Sequence, residues 1–213
     1  GNKTSFYQNG PNPYWDLYEN VNPVTRTRFS FNVGIEHALA DGLSLQANLF
    51  QDTNTTEYER IVAKHLFNTG SYQEGLDLNK EINADVRLNL NRDIYKDLNF
   101  NLMVGAANRN EKSNSKFAST DGGLLVTGIY NLGNSAKPAT VNNRTSEKEV
   151  SSVFSSVEFN FKDYLYATLT GRNDWSSTLP KDDWSFFYPS ASTSFIFTDA
   201  FNIKNKILTY GKL

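Results

Sequence analysis

Alternating apolar and polar residues recur along most of the chain and predict a series of β-strands. The most regular example is 80–91, where Ile82, Val86 and Leu88 fall on one face and polar side chains on the other. A period of two places successive side chains on opposite faces of a strand. The alternation recurs in six further segments: 26–39, 43–50, 98–106, 153–161, 164–172 and 187–197. We therefore predict an all-β fold of about seven to eight antiparallel strands, the last of them starting at Ile207.

In the predicted hairpin from Tyr164 to Phe197, the polar face consists mostly of hydroxyl groups and carries few charges. In 187–197, Ser190, Ser192 and Ser194 alternate with apolar residues, and aromatic rings gather where the strands begin and end. A soluble hairpin usually turns a charged face to water. Lipid on one side, water on the other and aromatic residues at both interfaces are typical of a transmembrane β-barrel. The pattern therefore favours a membrane protein.

The predicted connections alternate between short and long. Short ones are expected near 40–42, 92–97, 162–163 and 198–206, and long ones near 53–79, 110–148 and 174–185. In a meander, every second connection lies at the same end of the sheet. Tight turns at one end and long loops at the other are typical of bacterial outer-membrane barrels. The strands between them are predicted to be about 11–14 residues long, which suits a tilted strand in a bilayer.

Seven strands and an incomplete eighth, which starts at Ile207, are not enough to close a barrel. Open edges in lipid leave unpaired backbone groups, each of which costs several kcal/mol. We therefore expect the chain to be a fragment of a larger barrel. No signal peptide opens the sequence, so we also expect the start of the gene product to lie upstream of residue 1.

The amino-acid composition excludes several other classes of protein. The 213 residues include 15 Phe, 11 Tyr, no Cys, and 21 basic against 23 acidic residues. Charges spread evenly give no electrostatic footprint for nucleic acid. The absence of Cys excludes a disulfide scaffold and the usual zinc sites. The sequence contains no run of about 18 apolar residues, so no transmembrane helix is predicted.

Particular sequence motifs identify a family. Five segments closely resemble the SusC/RagA-like family of TonB-dependent outer-membrane transporters of Bacteroidetes: NPYW (Asn12–Trp15), GIYNLGNS (Gly128–Ser135), YLYATLTGRNDWSSTL (Tyr164–Leu179), FFYPSAS (Phe186–Ser192) and YGKL (Tyr210–Leu213). They follow one another along nearly the whole chain, and the block from Tyr164 to Ser192 is the most specific. NPYW alone is a weak signal.

The resemblance implies a particular architecture and function. Such proteins have a large transmembrane β-barrel of about 22 strands whose lumen is filled by an N-terminal plug. They also have a segment that contacts TonB, and a SusD-like surface lipoprotein covers the barrel. The implied function is import of glycans or peptides across the bacterial outer membrane, among outer-membrane lipids and with no enzyme activity or cofactor. Residues 1–213 are expected to be a middle part of the barrel domain, without the plug, the TonB-contacting segment or the C-terminal strands.

Two other functions fit the strand pattern. One is a TonB-independent barrel, either a porin or an outer-membrane enzyme, which would lack a plug of about 100 or more residues upstream. The other is a soluble all-β binding module, which carbonate extraction of membranes would release without detergent.

Candidate contact residues for substrate or partner are aromatic, apolar or cationic side chains near the predicted loops. They are Tyr14, Trp15, Leu124, Leu125, Ile129, Tyr130, Arg172, Trp175 and Trp184. Sugar rings stack on aromatic faces, and the apolar run from Gly122 to Tyr130 suits a buried contact. An interfacial aromatic girdle is the alternative for the tryptophans, and an ion pair with Asp174 is the alternative for Arg172.

No catalytic, metal or cofactor site is predicted. His37 and His65 are separated by a strand and a half, so they do not suggest a metal pair. Asp182 and Asp183 lie together in a loop, where acidic residues are usually solvated. No G-x-S-x-G segment supports a nucleophilic serine.

Overall fold

The computed structural model describes residues 6–7, 10–65, 68–203 and 207–213. The strands, in chain order, are β1 (Phe6–Tyr7), β2 (Gly10–Pro11), β3 (Val24–Ala40), β4 (Leu43–Val62), β5 (Ser71–Tyr95), β6 (Leu98–Leu124), β7 (Ser135–Phe161), β8 (Leu165–Ser176) and β9 (Ser185–Phe195). Helix α1 (Pro13–Glu19) follows β2, helix α2 (Phe197–Ala200) follows β9, and single 3₁₀ turns span Leu132–Asn134 and Lys181–Asp183.

Seven of the strands form one antiparallel sheet in the order β3-β4-β5-β6-β7-β8-β9, and β1 pairs separately with β2. Each strand of the large sheet therefore pairs with its neighbour in the chain. The prediction of an all-β fold with about seven antiparallel strands is confirmed, and the sheet is not closed within this chain. No helix among the described residues is both long enough and apolar enough to cross a membrane.

The predicted strand length holds for β8 and β9, which have 12 and 11 residues, but β3 to β7 have 17 to 27 residues, and two of the predicted long loops are wrong. The segment 53–79 is mostly strand, since β4 continues to Val62 and β5 begins at Ser71. The segment 110–148 is likewise mostly strand, since β6 continues to Leu124 and β7 begins at Ser135. In these parts of the strands both faces are polar, so the alternation of apolar and polar residues that predicts a strand is lost. Backbone pairing continues, because ladder hydrogen bonds require no apolar face.

The predicted alternation of short and long connections is confirmed. Connections at 41–42, 96–97 and 162–164 alternate with longer ones at 63–70, 125–134 and 177–184. The strand predicted from Ile207 is also wrong. In 207–213 the described residues hold one isolated bridge, from Lys212 to Ile196. Of the short connection predicted at 198–206, residues 204–206 lie outside the described residues.

The chain divides into two compact units. The first consists of residues up to Ser30, Asp52–Glu81 and Glu111–Glu147. It contains the buried apolar core of the described chain, formed by Ala63, Tyr72, Ala118 and Leu124.

The second unit consists of Phe31–Gln51, Ile82–Asn110 and Lys148–Leu213. Many of its large apolar side chains are exposed, and along β5 the exposed residues alternate with half-buried ones. Ala84, Val86 and Leu88 are exposed, whereas the polar residues between them are half-buried. A sheet with an exposed apolar face and a sheltered polar face is the reverse of a soluble sheet, and it suits a barrel wall in lipid.

Candidate functional site

The pairing of β7, β8 and β9 in the second unit determines which candidate residues share a face. Arg172 pairs with Phe154 on β7 and with Tyr188 on β9. Directly opposite residues in an antiparallel pair point to the same side of the sheet. These three side chains therefore lie on the polar face, together with Ser190, Ser192 and Ser194, which have the same parity.

Arg172 is held by its neighbours on this face. Its Nε donates to Asp174 Oδ1 at 2.7 Å, and a terminal nitrogen donates to Ser152 Oγ at 2.9 Å. The guanidinium carbon lies 5.8 Å from the centre of the Phe154 ring. The predicted pairing with Asp174 is confirmed. Since the Arg172 side chain is still half exposed, the polar face presents an oriented cation beside aromatic rings and hydroxyl groups.

Amide and carboxylate side chains continue the polar face on β4, β5 and β6. Asn48 donates to Asp85 at 3.0 Å, and Arg87 donates to the same carboxylate at 2.9 Å. Nearer the short turns, Asn91 donates to Asn101, and Asn99 donates to Asp93 at 2.8 Å. In this unit the polar face is therefore a hydrogen-bonded surface suited to contact with water and polar solutes.

The register places Trp175 on the opposite face from Arg172. It pairs with Ser151 and Ser185 and shares its parity with Leu165 and Leu169, which are exposed apolar residues. Trp184, at the end of the 177–184 connection, lines the same concavity as Trp175. The two tryptophans therefore come together, whereas Arg172 is not part of their site.

In the first unit, α1 carries two of the candidate residues. The helix begins after Asn12, whose side chain accepts a hydrogen bond from the Tyr14 N–H, and Pro13 takes the first helical position. Tyr14 is 72% exposed, and its neighbours Leu17 and Tyr18 are 67% and 69% exposed. The Trp15 ring lies edge-on to His65 at 6.2 Å. Its buried Nε1 has no hydrogen-bond acceptor among the described residues.

Four further candidates lie at or beside the 125–134 connection, which is built around one buried asparagine. The Asn134 side chain accepts from the Val126 N–H at 2.9 Å and donates to the carbonyls of Val126 and Ile129, both at 2.7 Å. The Lys64 ammonium donates to the carbonyls of Leu124 at 2.5 Å and Leu125 at 3.1 Å. These bonds fix the shape of the connection.

The fixed connection sorts its apolar residues into two groups. Leu124 is 2% exposed and belongs to the core, whereas Leu125, Val126 and Ile129 are between 45% and 61% exposed. Tyr130 is half-buried. We call Leu125, Val126 and Ile129 the apolar tip. Its side chains are held outward by the bonds of Asn134 and Lys64, which sequence reasoning did not identify.

A groove of about 670 Å³ in the first unit was also missed. It is lined by three carboxylates, Glu57, Glu59 and Glu74, with Lys116 among them. The buried Tyr72 hydroxyl is within hydrogen-bond distance of Glu59 at 3.2 Å and Glu74 at 3.0 Å. Burial, the hydrogen bond to Glu74 and the charge of Glu59 raise the pKa of Tyr72 above its ordinary value. These residues lie in a segment predicted as a loop, so their register was not predicted.

The fold and the two faces define a class of protein, the membrane-spanning wall of a β-barrel. The sequence model of the family described as "TonB dependent receptor-like, beta-barrel" matches residues 1–212. The chain therefore belongs to this family, and the resemblance to SusC/RagA-like transporters is confirmed. The family is one of transporters rather than enzymes, and the protein is located in the bacterial outer membrane.

Solved structures support the fold. The RagAB peptide transporter matches with a TM-score of 0.84 at 16% identity, over 94% of this chain and 24% of that chain. The RagAB peptide importer in its open-open state matches with a TM-score of 0.80 at 18% identity, over 94% and 23%. The ferric preacinetobactin receptor BauA from Acinetobacter baumannii matches with 0.52 at 15% identity, over 82% and 28%. No curated protein matches the chain.

The chain thus spans about a quarter of the length of the RagAB chains that it matches. At these identities the likeness is one of fold. The roles of the nine candidate contact residues therefore stay predictions, now with known positions in the sheet.

Proposed function

We propose that this chain forms part of the barrel wall of a TonB-dependent importer of glycans or peptides that works with a SusD-like surface lipoprotein. Membership of the receptor family supports TonB-dependent transport. The structural match to the RagAB peptide transporter supports a lipoprotein partner. Contact with TonB is expected through a segment outside residues 1–213, and the TonB-independent barrel and the soluble module gain no support from the family.

The two faces of the second unit support a wall that separates lipid from a solute passage. Val86 and Leu169 lie on the exposed apolar face, and Arg172 lies on the polar face. In a closed barrel the apolar face contacts lipid, so the polar face lines the lumen. Arg172, Phe186 and Tyr188 then offer a cation and aromatic rings to a passing solute. Such groups suit both peptide carboxylates and sugar rings.

The apolar tip is the observation that carries the partner part of the proposal. Five side-chain hydrogen bonds hold the backbone of a surface connection that exposes Leu125, Val126 and Ile129. Such a connection loses little conformational entropy on binding. Exposed apolar patches on a fixed surface mark protein contact sites. We assign the tip to the lipoprotein lid, and Tyr14 and Tyr18 to a second exposed patch in the same unit.

The test is to replace Leu125 and Ile129 together by Ser in the full-length transporter. Barrel assembly should survive, since both side chains are exposed, while co-purification of the lipoprotein should fall by about tenfold or more, as for loss of a small hot spot. Val24→Ser is the matched control, because Val24 is 55% exposed in the same unit but lies outside the connection. Unchanged lipoprotein capture in the double variant would show that the tip is not the partner contact.

A further inference from the structure

A small concavity on the apolar face of the second unit combines aromatic and polar groups. It is an open depression of about 360 Å³, lined by Trp175 and Trp184 with Glu149, Ser151 and Ser177. Trp184 is 46% exposed. An aromatic girdle by itself needs only rings at the membrane interface. A carboxylate and two hydroxyl groups gathered beside the rings require a further explanation.

The position of the concavity along the strand is set by the register. Ten residues of β8 separate Leu165, beside the short turn, from Trp175. At a rise of about 3.3 Å per residue and a tilt of about 45°, this corresponds to about 23 Å along the membrane normal. The outward apolar band of such barrels is about 25 Å tall. The concavity therefore lies at the far edge of the band, beside the head groups of the outer leaflet.

The short-turn end of the same unit carries the other aromatic group. The rings of Phe161 and Tyr164 are 5.7 Å apart, those of Tyr164 and Phe195 are 6.1 Å apart, and Phe201 lies 5.9 Å from Phe195. Two aromatic groups separated by the height of the apolar band mark the two membrane interfaces. The tryptophan concavity is thus at the outer interface and on the lipid side of the wall.

The polar groups of the concavity are held in place before any ligand binds. Asn108 donates to the Glu149 carboxylate at 2.7 Å and to Ser151 Oγ at 3.1 Å. The Glu149 N–H donates to Ser177 Oγ at 2.8 Å, and the Ser177 N–H donates to the Glu149 carbonyl at 2.9 Å. The Ser176 N–H donates to the Trp184 carbonyl at 3.1 Å, which joins the connection to the strand.

We propose that this concavity binds a sugar of an outer-leaflet glycolipid head group. A sugar ring stacks on an indole face, and its hydroxyl groups donate to a carboxylate and exchange hydrogen bonds with serine hydroxyls. The negative charge of Glu149 repels a phosphate, so the sugar rather than a phosphate of the head group fits between the tryptophans. The inference depends on the orientation of the wall in the outer membrane and not on what the protein transports.

The experiment uses the full-length transporter in detergent, titrated with lipopolysaccharide and followed by native mass spectrometry. Trp184→Ala should weaken binding by about three- to tenfold, the effect of losing one aromatic stacking contact. Trp184→Phe should retain most of the affinity. Glu149→Gln should weaken binding by about the same factor as Trp184→Ala. Phe187→Ala is the matched control, since Phe187 is a 66% exposed aromatic residue on the same face as Trp175 and does not line the concavity.

Three outcomes would overturn the assignment. Equal affinities for the wild type, Trp184→Ala and Glu149→Gln would show that the concavity does not hold the head group. An equal loss in Phe187→Ala would show that aromatic residues of this face contribute in general and that the concavity is not a specific site. If free core oligosaccharide bound as tightly as lipopolysaccharide, the concavity would be a site for a soluble glycan and not for a lipid head group. Heat-modifiable migration on gels confirms that each variant is folded.

Discussion

Single residues along β8 alternate between two different environments. Arg172 and Trp175 are three residues apart, yet the first is bonded to Asp174 on the polar face and the second lies on the apolar face. The sequence predicted these faces correctly from alternation alone, and it left open whether Trp175 belonged to a girdle or to a substrate site. The register now favours a position at the lipid interface.

The first residue-scale prediction tests the lipid face. Val86→Arg should destabilise the full-length barrel by about 2–4 kcal/mol, because an arginine near mid-bilayer is costly on the lipid side. Val86 is 43% exposed on the apolar face. Asn83→Arg, on the polar face of the same strand, is the control and should cost much less. Urea unfolding in lipid vesicles measures both, and equal losses would contradict the assignment of the faces.

The second prediction concerns Tyr72 beside Glu59 and Glu74. Its raised pKa means that the folded state keeps the phenolic proton where an unfolded chain has lost it. Stability from this cluster is therefore present below about pH 10, the ordinary tyrosine pKa, and is lost as pH rises through the folded pKa. The tyrosinate absorbance that wild type has and Tyr72→Phe lacks should therefore appear at a pH above the ordinary tyrosine pKa of about 10. A difference that titrates at about pH 10 would contradict this.

Whole elements were predicted only where an apolar face exists. The strands from 80–91 and 153–161 were found because lipid requires every second residue to be apolar. The ends of β4, β5, β6 and β7 were missed because Ser, Asn, Lys and Glu on both faces look the same as a loop. Pairing of the backbone is what defines those ends as strands, and the pairing leaves no periodic signal in a single sequence.

The sharp corner between β3 and β4 gives a prediction at the scale of elements. Gly42 has φ of +68°, and an added Cβ would meet the carbonyl oxygen of Asn91. Gly42→Val should therefore destabilise the barrel by about 1–2 kcal/mol from backbone strain, with a further cost from the contact. Asp41→Ala is the control, since the Asp41 side chain is fully exposed. Both are measured by urea unfolding, and similar midpoints would show that the corner tolerates a side chain.

At the scale of the molecule, the described sheet has an exposed apolar face and two edge strands, β3 and β9. Both features promote association in water. Residues 1–213 expressed alone without detergent should therefore aggregate, as light scattering and gel filtration would show. Refolding the same chain into detergent micelles should reduce the aggregation. A soluble monomer with a sharp, cooperative melt would contradict the placement in a membrane.

The order of the strands has a consequence for how the wall is made. Every strand of the large sheet pairs with its neighbour in the chain, across turns of two or three residues at alternate connections. Closing so short a turn loses little entropy, and local contacts form fastest. Assembly can therefore proceed one hairpin at a time, each finished hairpin offering its free edge as the template for the next strand. Within the described sheet, each strand therefore finds at least one partner next to it in the chain and does not depend on a distant segment for its first pairing.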